Sequence, residues 1–209
     1  MKKIPLALFV LLLFFTVMQC GGKKKPPAPD TKNPKYYFPI NPTYEWTYAS
    51  LGLDCEVYDT FFVTATNKNV RYVDGVNQSG WDMVSLPSGD TSFMFQVADT
   101  IFYIKSIHSS RPDPYKLLVG PIEAGTFWKD RFSYDFDYII IGFEDVYSSL
   151  AGVTYRGCVK VSRTSSDNDI TKYFWWSPEY GRVKEVTYLS AQCQSGEELL
   201  SLDKTHVPP

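Results

Sequence analysis

From residue 44 onward the chain alternates apolar and polar positions with a period of two, the signature of strands with one buried face. The alternation is clearest in Tyr44-Glu45-Trp46-Thr47-Tyr48 and in Val159-Lys160-Val161-Ser162-Arg163-Thr164. Aromatic and β-branched residues fill positions 57–66, 80–86, 92–97 and 100–107, and such side chains fit a pleated, half-buried surface. Further strands are predicted at 115–119, 126–128, 132–143, 170–176, 183–189 and 199–202. Turn chemistry separates them: Pro87-Ser88-Gly89-Asp90, Ala98-Asp99, a loop over 108–114, a turn over 165–169, and Ser177-Pro178-Glu179-Tyr180-Gly181. No stretch carries apolar residues at helical spacing for three turns. The pattern predicts an all-β fold, either a single antiparallel, strongly curved sheet or a half-barrel or sandwich. It shows no internal repeat.

The first residues follow another rule. Lys2 and Lys3 precede an apolar run over residues 4–15, and Val17-Met18-Gln19-Cys20-Gly21-Gly22 follows. A cationic head and a short apolar core are the parts of a secretory signal. The run is at the lower limit for a bilayer span and holds Pro5. Lys23-Lys24-Lys25 and Pro26, Pro27, Pro29 and Pro34 come next, a composition that extends a chain and favours an anionic membrane surface. The predicted organisation is a signal over 1–19, a flexible basic, proline-rich tether over 20–35, and one β domain over 36–209.

Charge is segregated along this plan. Residues 21–35 carry five lysines against one aspartate, whereas residues 36–209 carry 14 basic and 22 acidic residues. An acidic body argues against nucleic acid as a partner, and solubility accounts for it. The body's 174 residues suffice for one sizeable core.

Val17 to Cys20 resembles the lipobox of bacterial lipoproteins, with Val17 at the aliphatic position and Gln19 where Gly, Ala or Ser is usual. The resemblance implies cleavage before Cys20 and acylation of that cysteine, and more than one acyl chain gives stable anchoring. Gly21 after the cysteine implies, by analogy, outer-membrane sorting with the body facing the periplasm. Three patterns in the body carry a second resemblance: Tyr37-Phe38-Pro39-Ile40-Asn41-Pro42 with Trp46-Thr47-Tyr48; Ala151-Gly152-Val153-Thr154-Tyr155-Arg156-Gly157-Cys158-Val159-Lys160-Val161; and Tyr173-Phe174-Trp175-Trp176-Ser177-Pro178-Glu179-Tyr180-Gly181-Arg182-Val183-Lys184-Glu185. Together they resemble a group of uncharacterised bacterial lipoproteins and secreted proteins, with Glu179 where the group has glycine. The resemblance implies a curved antiparallel sheet or half-barrel in the style of periplasmic lipid carriers. It supplies no catalytic residues.

With Cys20 acylated, Cys55, Cys158 and Cys193 remain. Cys158 lies in an alternating segment and reads as a buried core thiol. Cys55 and Cys193 lie in turn-like stretches and are the favoured disulfide, although sequence alone does not fix connectivity.

Little material for catalysis exists. The two histidines, His108 and His206, have no neighbour at metal-ligand spacing. No nucleophile elbow or phosphate-cradling loop is present. Asp135 and Asp137 share one strand face, and Asp167-Asn168-Asp169 reads as a hairpin tip. No metal, no cofactor and no enzymatic activity are expected. The aromatic surplus is the one functional pointer. Phe93, Phe95, Phe102, Tyr103, Trp128, Phe174 and Trp176 either fill the core or line a cleft for an apolar ligand, with Phe95, Tyr103, Trp128, Phe174 and Trp176 as the ligand-binding candidates. The expectation is a membrane-anchored envelope lipoprotein, a binding or structural β module with an envelope protein partner. The alternative is a carrier of a lipid or other hydrophobic ligand in the concave face of its sheet.

Overall fold

A computed structural model of the chain describes residues 31–107, 114–130, 136–165, 168–189 and 192–205. Twelve strands make one antiparallel sheet: β1 Glu45–Leu51, β2 Val57–Val73, β3 Val76–Leu86, β4 Asp90–Val97, β5 Thr100–Ile104, β6 Tyr115–Val119, β7 Phe127–Asp130, β8 Phe136–Ser148, β9 Val153–Ser165, β10 Asn168–Ser177, β11 Gly181–Leu189 and β12 Gln192–Asp203. Their order is β6-β5-β4-β3-β2-β1-β12-β11-β10-β9-β8-β7. Within β1–β6 and within β7–β12 each strand thus pairs with its neighbour in sequence, β6 and β7 form the two edges, and the one non-local ladder joins β1 to β12. The sheet curls until β6 and β7 meet, which makes a nearly closed barrel. The described residues contain two short 3-10 turns and no α-helix.

Antiparallel pairing fixes the ends of the barrel. Glu45 opens β1 opposite Asp203 in the last strand, so the chain enters and leaves at one end. At the other end Cys55 and Cys193 are joined as a disulfide across 5.6 Å between Cα atoms.

The turns explain the strand limits. Ala98 adopts a positive φ of 50° in the β4–β5 turn and Gly181 one of 78° at the start of β11. Asp74-Gly75 closes the β2–β3 hairpin with φ 48° and 83°, the backbone of a two-residue turn that Asp-Gly favours. This turn and the extension of β2 to Val73 are additions to the sequence-based plan. So are the extension of β8 to Ser148 and the start of β12 at Gln192.

The chain begins to pack before β1. Asn33 caps a 3-10 turn over Pro34–Tyr37 by accepting from the Lys35 N–H at 2.9 Å. Lys32 carbonyl accepts from Ile122 N–H at 2.8 Å. Pro34 and Tyr37 are buried. Residues 32–35, placed in the tether by composition, therefore lie against the body. Phe38 then enters the barrel and packs on Trp176, ring centroids 4.8 Å apart.

Two long hairpins add cover on the face opposite the barrel interior. Near the β2–β3 turn Val73 packs with Phe93, Phe95 and Ile104. The β8–β9 hairpin brings Val146, Tyr155 and Cys158 against Trp175, Val183 and Val186. Trp175 and Trp176 sit on opposite faces of β10, as neighbours on a strand must. Both are buried, at 8% and 2% exposed. The alternation rule leads one to expect an outward tryptophan on one side. The β8–β9 hairpin covers Trp175 instead, and the Trp175 indole donates to Glu144.

Candidate functional site

The barrel interior is concave, and the chain itself occupies much of it. Phe38, Pro39 and Ile40 sit among residues from nine strands and bound a cavity of about 160 Å³. Its walls include Trp46 and Tyr48 of β1, Phe61 of β2, Met94 of β4, Tyr103 of β5 and Trp176 of β10. Phe38 and Ile40 also bound a second cavity of about 310 Å³ that reaches Trp81, Phe95 and Ile101. One segment thus partitions the space inside the sheet.

The interior is also ionic. Glu185 and Glu197 stand opposite each other in the β11–β12 ladder, an arrangement that is repulsive by itself. Arg182 resolves it. Its Nη1 donates to Glu185 at 2.8 Å and its Nη2 donates to Glu197. Lys172 on β10 also pairs with Glu185. Burial opposes ionisation of Glu185, but Arg182 and Lys172 outweigh it and hold the carboxyl below the usual range. Burial likewise opposes the Arg182 charge, and Glu197 and Glu185 raise its pKa regardless. The Tyr48 hydroxyl donates to the Arg182 carbonyl at 2.9 Å, and burial pushes its pKa up. These groups satisfy one another, so the network reads as internal bracing.

Two further carboxylates are buried on the opposite face. Asp82 accepts a bidentate pair from Arg71 at 2.8 Å and a bond from Asn69 at 3.0 Å. Glu198 accepts from the Ser148 hydroxyl and pairs with Lys184 at 2.9 Å. The Cys158 thiol is buried, and burial pushes it up to about 12. A thiol held protonated is a poor nucleophile and metal ligand. Among the described residues no group of three His, Cys, Asp or Glu side chains could hold a metal ion.

The ligand candidates named from sequence divide. Tyr103 and Trp176 line the smaller cavity. Phe95 borders the larger one from its place on β4, but its ring is turned to the opposite face, where it packs with Phe93, Phe102 and Ile104. Trp128 and Phe174 pack around Tyr138 in the core, with Trp128 stacked on Tyr138 at 5.2 Å. Asp137 pairs with Lys129 at 3.1 Å. Cys20, His108, Asp135, Asp167 and His206 lie outside the described residues. Sequence reasoning passed over Phe38 and Ile40 as site residues and the Arg182–Glu185–Glu197 network. The positions of these acids on one ladder become visible only once β11 and β12 are in register.

With this geometry the chain defines a class, a twelve-stranded β-meander curled into a nearly closed barrel with its own N-terminal segment inside. Two solved structures are similar. One, from Bacteroides fragilis, is provisionally described as an exported protein with a YmcC-like fold; it shares 12% identity, with a TM-score of 0.51, over 79% of this chain and 97% of that one. The other, provisionally described as a lipoprotein from Parabacteroides distasonis, shares 19% identity at a TM-score of 0.46 over the same fractions. The first likeness supports the fold. No family model and no curated protein matches the sequence.

Proposed function

We propose that this chain is a lipid-anchored lipoprotein of a bacterial envelope whose barrel is filled from within and whose outer surface makes its contacts. The observation that carries this reading is the occupied interior. Phe38, Pro39 and Ile40 fill the mouth of the sheet, the Arg182 network braces the wall behind them, and cavities of about 160 and 310 Å³ remain. Small-molecule sites usually span about 300–1,000 Å³, so these voids suit nothing larger than a small organic molecule. A lipid would have to displace the Phe38 segment. Support for export comes from the signal-like residues 1–19 and from the descriptions of the two similar structures, one as exported and one as a lipoprotein. The location in the outer membrane, facing the periplasm, belongs to the same proposal. We assign no catalytic step: the Ser148 hydroxyl is committed to Glu198 and the Cys158 thiol is held protonated.

The test is expression of the full chain and its Cys20→Ala variant in a bacterial host, followed by fractionation and intact mass measurement. The expected result is a membrane-bound chain that begins at an acylated Cys20, with the variant released or unprocessed. An unmodified chain of unchanged distribution in both would overturn the reading.

A further inference from the structure

One apolar stripe stands out on the surface. Ile139 and Ile141 on β8 are 42% and 48% exposed, and Phe127, the cross-strand partner of Ile139, is 51% exposed; the register of β8 against β9 shifts between Ile140 and Gly142, so Phe143 stands opposite Val159 on the other face. A Cβ built on Gly142, next to Ile141, would meet nothing within 4 Å. Single exposed apolar residues are ordinary, but three together mark a contact surface.

The N-terminal segment reaches the body close to it. Lys32 pairs with Glu123 and is fixed to Ile122 by its carbonyl. The loop that follows is bonded to the stripe's own strand: Gly125 N–H donates to the Ile140 carbonyl at 2.8 Å and Ile140 N–H to the Thr126 carbonyl at 2.9 Å. The N-terminal segment therefore leaves the body beside Phe127 and Ile139. Eleven residues lie between Cys20 and Lys32, and the twelve steps from one Cα to the other span no more than about 43 Å even when fully extended. An acyl chain on Cys20 would hold the point where the segment leaves the body, on this side of the barrel, within that distance of the bilayer.

We infer that the Phe127–Ile139–Ile141 stripe is a second membrane contact, seated in the surface of the leaflet that holds acylated Cys20. This rests on the lipoprotein reading above. Apolar side chains at such a surface enter the boundary between headgroups and acyl chains by about 5–10 Å. Lys129, paired with Asp137 and lying 5.7 Å from the Phe127 ring centroid, can reach the headgroups from beside the stripe. The barrel would then lie against the membrane on its β7–β8 side.

The experiment uses the full acylated chain in vesicles of phosphatidylethanolamine and phosphatidylglycerol. A nitroxide is placed at Ile141→Cys or, as the control at the disulfide end, at Ser88→Cys. Intact mass first reports whether Cys20 is acylated. The expected result is a severalfold higher ratio of oxygen to aqueous nickel collisions at position 141 than at position 88. Equal ratios on an acylated chain would overturn the stripe as a membrane contact and leave the anchor standing. A chain without acyl groups would overturn both. Shielding of position 141 from both reagents, with label–label broadening, would show a second copy on the stripe and also overturn the inference. Should the cysteine variants fail to fold, hydrogen exchange on the unsubstituted acylated chain decides: residues 127–130 and 136–143 should slow in vesicles relative to the Cys20→Ala chain in solution, and unchanged rates would contradict the inference.

Discussion

The barrel has two junctions where distant parts of the chain meet, and they are built differently. At β1–β12 seven ladder pairs join the first strand to the last, with one bulge between Thr47 and Tyr48, and the Cys55–Cys193 disulfide clamps the far end. At β6–β7 no ladder forms among the described residues. Side chains bridge the gap: Trp128 Nε1–H donates to the Lys116 carbonyl at 3.2 Å, and the Lys116 N–H donates to Asp130 Oδ2 at 3.3 Å. The difference teaches how a meander closes. Local hairpins set most of the sheet, one long-range ladder holds its two halves, and the last gap is covered by side chains that satisfy edge backbone groups. The β6–β7 junction should therefore open locally at small cost while the β1–β12 junction opens only with the whole fold.

The strongest way to break this contrast is at Arg182, behind the β1–β12 junction. Arg182→Leu leaves Glu185 and Glu197 opposed and should cost about 3–5 kcal/mol in denaturant unfolding at pH 7. The pH dependence gives a sharper reading. The Glu185 carboxyl is held below its usual range, so its stabilisation is present above the unfolded value of about 4.3 and is lost as pH falls through the folded one. The variant has repulsion to relieve by protonation, so its deficit relative to the native chain should shrink as pH falls from 7 toward 4. A constant deficit would mean that Arg182 acts through packing alone.

Removing the clamp comes next. The bridge closes a separation of 138 residues, and loss of a native disulfide typically costs about 2–5 kcal/mol. A Cys55→Ala/Cys193→Ala chain should unfold at lower denaturant by that amount, with amide exchange rising across β1 and β12 together. Exchange confined to the turns would show that the ladder suffices.

At the other junction the effect should be small globally and large locally. Trp128→Phe keeps a ring against Tyr138 and removes the N–H bond to Lys116, a change of about 0.5–1.5 kcal/mol. Amide exchange in β6 and β7 should accelerate by more than exchange in β1 or β12. Equal acceleration everywhere would erase the distinction between the junctions.

Smallest at neutral pH is the effect of Cys158. Its thiol is raised by burial to about 12, so its contribution is intact below the ordinary thiol value of about 8.5 and fades as pH rises from there toward 12. The native chain should resist thiol reagents at pH 8, and Cys158→Ala should flatten the alkaline loss of stability. Rapid labelling at pH 8 would contradict the buried placement.

The same contrast shows what was legible in the sequence. Hairpins with local signals were readable: Ala98-Asp99 between β4 and β5, and the Pro178–Gly181 turn between β10 and β11. Asp74-Gly75 was equally explicit but stood beside the polar run Asn67-Lys68-Asn69. Those residues belong to the part of β2 that extends beyond its ladder with β1, where exposure removes the apolar alternation. The first half of β12 was missed for a related reason. Gln192-Cys193-Gln194-Ser195-Gly196-Glu197-Glu198 reads as loop because its two acids face in opposite directions, Glu197 to Arg182 and Glu198 to Lys184. Strand existence follows from pattern, but closure depends on the non-local β1–β12 ladder, which no local pattern encodes. The interior segment was hidden in the same way, since Phe38 and Ile40 acquire a role only when the barrel forms around them.

The most direct test of a barrel filled by its own chain is native mass spectrometry of the Cys20→Ala full chain isolated from a bacterial periplasm, with solvent extraction of the same sample. The account predicts the mass of the chain alone and no apolar molecule at near-stoichiometric amount. A copurifying lipid that leaves on denaturation would contradict it, and would show that the Phe38 segment yields the interior to a ligand.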